Sequence, residues 1–98
     1  MNASILLQLP HQFDQDTVKH FRPEFDSMLR CEEGDVCLDL SAVDFIDSSG
    51  VGAIIHLFKR LKSQGRDLEL SGVSGQPRRI LLMLRVDRAI SMQSQVAA

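Results

Sequence analysis

The sequence predicts a single small α/β domain with a largely parallel sheet. Three observations predict it. Short apolar runs of period two alternate along the chain with apolar runs of helical period. Gly, Pro, Asp and Ser fall at the joints between those runs. The 98 residues suffice for one core but not for two. Strands separated by helices pair most readily in parallel.

The elements follow in order. Ser4 to Leu9 is an apolar run that predicts the first strand, and Pro10 ends it. Asp16 or Thr17 is placed to cap a helix carrying Val18, Phe21, Phe25, Met28 and Leu29 on one face. Pro23 lies inside that helix, where it removes one hydrogen bond and crowds the carbonyl of Lys19. A kink or a late start is expected there. Gly34 suits the turn after the helix.

Val36, Leu38 and Leu40 alternate along the next strand, about Asp35 to Leu40. Cys37 can pack on the other face, so the strand is expected to be covered on both sides. Asp47 or Ser48 is placed to cap the helix that follows, from about Ser48 to Gln64. Val51, Ile54, Ile55, Phe58 and Leu61 make its inner face. Gly50 and Gly52 leave its first turn bare, open to close approach by another backbone. Gly65 ends it, with Lys59, Arg60 and Lys62 near the negative end of its dipole.

Leu68 to Ser71 is a further strand. Ser74-Gly75-Gln76-Pro77 opens a third helix, with Pro near its first position and Ile80, Leu81 and Leu84 facing inward. Arg88 to Met92 suits a last short strand. The domain is expected to span residues 1–98, with its core over 4–92 and a frayed tail over 93–98.

Charge is balanced overall but not along the chain. Residues 1–50 hold Lys19, Arg22 and Arg30 against ten acidic residues, a formal −7. Residues 51–98 hold eight basic residues against Asp67, Glu69 and Asp87, a formal +5. Either two solvated faces or a partner surface with a defined field accounts for that. Nucleic acid is not an expected partner: no dense basic patch is interleaved with aromatics, and Trp and Tyr are absent. No apolar run reaches the roughly 18 residues of a membrane span. No secretory pattern opens the chain, which makes the cytoplasm the expected location. Cys31 and Cys37 are expected as reduced, buried thiols, with a disulfide as the alternative.

Enzyme chemistry is not expected. A serine nucleophile needs a base in reach, and His56 lies two helical turns beyond Ser48. The Ser-Ser-Gly-Val-Gly run lacks the Gly two residues ahead that a nucleophile elbow requires, and it lacks the Lys of a phosphate-binding loop. Asp39, Asp44 and Asp47 do not have EF-hand spacing and read as turn aspartates, so no metal or cofactor is expected. Met28, Met83 and Met92 read as core filler. Arg78-Arg79 reads as a solvated helix start, with a partner contact as the alternative.

A strand, then Asp44-Phe45-Ile46-Asp47-Ser48-Ser49-Gly50-Val51-Gly52, then an apolar helix resembles the signature of the STAS family. The resemblance extends to Phe13-Asp14 with Thr17, Phe21, Phe25 and Leu29, and to Pro77–Leu84. It implies a four- or five-stranded mixed, mostly parallel sheet packed with helices. Two departures concern the sheet edge: there is little chain for an extra strand ahead of Ser4, and Pro10-His11 stands where the family has a small residue followed by Gly. An uncovered edge strand could pair with another chain.

On composition, Asp47-Ser48-Ser49 is helix capping alone. The resemblance implies more. In anti-sigma factor antagonists the serine after this Asp accepts phosphate from a serine kinase; here that is Ser48, with Ser49 its neighbour. The implied function is a phosphorylation-controlled binding protein. Unphosphorylated, it would bind a serine-kinase anti-sigma factor; a phosphatase would restore it after modification. The alternative is an accessory subunit docking to a membrane transporter ATPase, such as a lipid-transport complex. The docking surface is expected to include Asp44, Asp47, Ser48, Ser49, Gly50, Gly52, Ala53 and Leu57, the last two as a small apolar patch on the outer side of the helix.

Overall fold

The computed structural model describes residues 5–31 and 33–94. In chain order the elements are β1 (Ile5–Gln8), β2 (Gln12–Phe13), α1 (Gln15–Cys31), β3 (Val36–Asp39) and β4 (Phe45–Ile46). Then come α2 (Ser48–Ser63), β5 (Leu68–Val73), α3 (Gly75–Met83), a 3-10 turn over Val86–Arg88, and β6 (Ser91–Ser94). The main sheet is four-stranded in the order β1-β3-β5-β6, and each pairing is parallel. β2 and β4 form a separate, short parallel pair.

Register decides which side chains share a face. Ile5 lies opposite Val36 and Leu7 opposite Leu38; these lie opposite Leu68 and Leu70 in turn. That face meets Phe25, Met28 and Leu29 of α1 and Val51, Ile54, Leu57 and Leu61 of α2 in one buried cluster. The other face is polar, which corrects the expectation of a strand covered on both sides. Cys37, Glu69 and Ser71 are only half-buried there, and the Cys37 thiol lies 3.4 Å from the Ser71 hydroxyl. Leu6, on the edge strand β1, is 67% exposed. Both cysteines are free thiols, but neither is buried as expected: Cys31 is exposed and Cys37 half-buried.

The cap of α1 is Asp14, two or three residues earlier than the Asp16 or Thr17 the sequence suggested. The Asp14 N–H donates to Thr17 Oγ1 at 2.8 Å, and the Thr17 N–H donates to Asp14 Oδ1 at 3.1 Å. This is a reciprocal capping box with Thr in the place usually taken by Glu. These bonds, the Thr17 N–H first and its hydroxyl second, hold the Asp14 carboxyl below its ordinary value. Helix α1 does not start late: it runs unbroken from Gln15 through Pro23, whose ring is exposed.

The C-terminal end of α1 is closed by residues from beyond α2. Arg66 is 4% exposed and donates to Met28 O, Glu33 O, Gly34 O and Gln64 Oε1. Gln64 Nε2 in turn donates to Leu29 O. A buried guanidinium is tolerable here because its acceptors include carbonyls at the negative end of a helix.

Three smaller corrections fall on the last third of the chain. Leu84 caps the end of α3 and is 53% exposed, because a nine-residue helix ends before Leu84 can turn inward. Met83 is 76% exposed and is not core filler. Gln93 and Ser94 belong to β6, whereas 95–98 of the expected tail lie outside the described residues.

Candidate functional site

The strand–turn–helix segment from Asp44 to Gly52 is clamped on several sides. Phe45 and Ile46 pair in parallel with Gln12 and Phe13. The Asp44 and Phe45 N–H groups both donate to His11 O. On the other edge, Gln76 of α3 takes the place of a strand: Ile46 N–H donates to Gln76 Oε1, and Gln76 Nε2 donates to Ile46 O, each at 2.9 Å. A two-residue strand is thus satisfied on both edges, one by backbone and one by a side-chain amide.

Asp47 follows with extended backbone and caps α2. Its Oδ1 accepts from the Gly50 N–H at 2.9 Å, and its Oδ2 accepts from the Gln15 N–H at 3.1 Å. One carboxylate therefore serves the positive ends of both α1 and α2. Gly50 is buried, and a Cβ there would lie 2.2 Å from Phe13 O and 2.7 Å from Ile46 Cγ1. The close backbone approach expected at this glycine is thus made by the chain's own β2. Gly52 faces open space.

Because Asp47 does the capping, Ser48 does not. Ser48 is the first residue of α2 and is exposed, and its side chain has no hydrogen bond among the described residues. Ser49 and Ala53 are half-buried, and Asp44 is exposed with His11 Nδ1 3.4 Å from its carboxylate. A pair this exposed contributes little. Two residues of the expected docking surface must be removed from it. Gly50 is buried under β2, and Leu57 is 1% exposed. Leu57 turns inward because α1 packs along that side of α2, adding Phe25 and Leu29 to what the helix must cover. The exposed members of the set are Asp44, Ser48 and Gly52, with Asp47, Ser49 and Ala53 half-buried beside them.

Gln76 and Gln15 were not singled out in the sequence, and no local signal marks them. Their bonds span thirty residues for Gln76 and thirty-two for Gln15. Among the described residues, no group of His, Cys, Asp and Glu could hold a metal ion. No described helix is long and apolar enough to cross a membrane.

The family model for the STAS domain matches residues 2–98. The chain belongs to the STAS domain family. The intermembrane phospholipid transport system binding protein MlaB of Escherichia coli K12 is 31% identical to this STAS domain over 74 residues. That match covers 76% of this chain and 73% of MlaB. Among solved structures, a Thermotoga maritima protein assigned as an anti-sigma factor antagonist superposes with a TM-score of 0.82 at 24% identity, covering 95% of this chain and 80% of that one. The unphosphorylated anti-sigma factor antagonist SpoIIAA gives 0.72 at 16% identity, covering 99% and 84%. A sulfate transporter family protein from Wolinella succinogenes gives 0.78 at 19%, covering 95% and 78%. At these identities the structural likeness is one of fold, and the STAS fold accordingly occurs here as an α/β unit with a parallel four-stranded sheet.

Proposed function

We propose that this STAS domain is a non-enzymatic, cytoplasmic binding protein of the anti-sigma factor antagonist type, switched by phosphorylation of Ser48. The observation that carries the reading is the exposed Ser48 hydroxyl, left unused at the start of α2 because Asp47 supplies the cap. A serine-kinase anti-sigma factor would bind the unmodified face around Asp44, Ser48, Gly52 and Ala53. The kinase would transfer a phosphoryl group from ATP to Ser48 Oγ, its own base taking the hydroxyl proton, and a phosphatase would hydrolyse the ester. The phosphate adds about −1.5 to −2 charges. The free N–H groups at the start of α2 tolerate that charge. A partner surface pressed onto the same spot, beside Asp44 and Asp47, does not. Phosphorylation therefore opposes docking rather than folding.

The identity with MlaB favours a second reading. In it the same face docks to a membrane transporter ATPase of a phospholipid-transport assembly, without phosphate traffic. One experiment separates the two. Wild type, Ser48→Ala and Ser48→Asp are tagged in the native host, and bound proteins and Ser48 occupancy are measured by mass spectrometry. The switch reading expects phosphate on Ser48 and a kinase-like protein held by Ser48→Ala and released by Ser48→Asp. Recovery of a transporter ATPase with all three, with Ser48 unmodified, refutes the switch and supports the second reading.

A further inference from the structure

Helices α1 and α2 leave a groove between them that opens beside Ser49 and Gly52 and continues past Asp26 and Leu29 toward Arg30 and Arg60. The first stretch has a volume of about 570 Å³ and the second about 360 Å³. Its floor is apolar: Phe25, Leu29 and Leu57 are each less than a tenth exposed, and Ala53 is half-buried beside them.

The rim is cationic. Lys19 and Arg22 of α1 border the first stretch, and Arg30 and Arg60 border the second. Asp26 is the one acidic residue among those lining either stretch. None of the four cations pairs with a carboxylate among the described residues. All the basic residues of the first fifty positions lie on this groove, in a chain of net charge −2. Unpaired like charges held along one concave apolar track are repelled by each other and stabilised by an anionic occupant.

We propose that this groove docks an acidic amphipathic helix of a protein partner. Its apolar stripe would lie on Ala53 and the accessible edges of Phe25 and Leu29, with Leu57 buried beneath them, and its carboxylates against Lys19, Arg22, Arg30 and Arg60. The shape selects a helix over a membrane surface, because the apolar residues are recessed, whereas lipid binding needs them to protrude. The length fits as well: from Gln15 to Arg30 the groove follows α1 for about 23 Å, on the order of four helical turns. The inference rests on the proposed docking face only for the identity of the partner, not for the chemistry of the groove. Gln15, Ser49 and Gly52 line its head, so a phosphate on Ser48 would place negative charge at one end of an acidic occupant.

The test is an NMR titration of the ¹⁵N-labelled full chain with a synthetic helix carrying Leu along one stripe and Glu elsewhere. The same peptide with Lys in place of Glu and vesicles of phosphatidylglycerol are the controls. The acidic peptide is expected to shift amides of α1 and α2 that line the groove, weaken with added salt, and lose about tenfold in affinity to Lys19→Glu/Arg22→Glu. These positions are exposed, so the variant should keep the wild-type melting temperature. Equal binding of the basic peptide, shifts confined to other faces, or binding of vesicles without the peptide would overturn the proposal. A Ser48→Asp variant that binds the acidic peptide as wild type does leaves the groove in place and removes its link to Ser48, so the two readings fail separately.

Discussion

Gly50→Ala and Gly52→Ala make the same chemical change two residues apart, and the structure gives them opposite signs. At Gly50 the new methyl would lie 2.2 Å from the Phe13 carbonyl oxygen, against a practical minimum of 3.0 Å. β2 and α2 would have to separate by about 0.8 Å, and neither is free to yield. Phe13 is fully buried, with its ring centroid 6.1 Å from those of Phe21 and Phe25, so moving its backbone disturbs the core. Overpacking of this kind costs about 3 kcal/mol at the upper end of its usual range. Displacing the Gly50 N–H from Asp47 adds about 1 kcal/mol for the cap. Replacing Gly by Ala in a helix returns about 1 kcal/mol. The net expectation is a loss of about 3 kcal/mol for Gly50→Ala and a gain of about 0.5–1 kcal/mol for Gly52→Ala, which meets nothing. Urea unfolding followed by far-UV circular dichroism reads both as midpoint shifts at constant slope. If Gly50→Ala unfolds within about 0.5 kcal/mol of wild type, the close packing of β2 on α2 is refuted.

Arg66→Met should cost about 4 kcal/mol, since it leaves the buried Met28 carbonyl and the part-buried Glu33 and Gly34 carbonyls without this donor, and Arg66→Lys about half that; a thermal melt checks the order Arg, Lys, Met. Asp14 has a folded pKa below its ordinary 3.8, so its contribution is present above that value and is lost as pH falls through the folded pKa. Urea midpoints of wild type and Asp14→Asn should therefore diverge at neutral pH and converge once the pH falls below the folded pKa of Asp14. Ala53→Arg, at a half-buried position on the groove floor, should stay folded with a modestly lowered melting temperature and weaken partner binding about tenfold or more, read by calorimetry on the folded variant. Undiminished binding would move the contact to another surface, with the open edge of β1 the next to test.

The strand–turn–helix core of the fold was legible because period two gives way to helical period across a visible cap. Position alone narrowed that cap to Asp47 or Ser48, and the extended backbone of Asp47 with its bond from the Gly50 N–H decides for Asp47. Leu57 could not be placed, because a helix covered by both a sheet and another helix buries a different arc from the one that the stripe of Val51, Ile54, Ile55, Phe58 and Leu61 defines. The buried arc is also shifted toward α1, which leaves Ile55 and Phe58 half-buried at its far margin. Asp14 was passed over because Thr17 acts as the reciprocal member of its box, a part that sequence reading assigns to Glu or Gln. Gln76 acts across thirty residues of separation, and nothing near it in the chain announces a strand-like role. At Gly50 the bare turn was readable, but that β2 would fill it depends on topology.

The two long helices are fastened to each other at both ends. Asp47 ties their first turns together, and Gln64 and Arg66 tie the last turn of α1 to the chain leaving α2. A gap bounded in this way behaves as a slot of set width rather than as a jaw. It has little freedom to lose when filled, so the ordering entropy of an encounter falls on the incoming segment. Selection by such a slot rests on girth: a helix with small residues along its contact stripe seats fully, and one with bulky aromatics rides high and forfeits the rim.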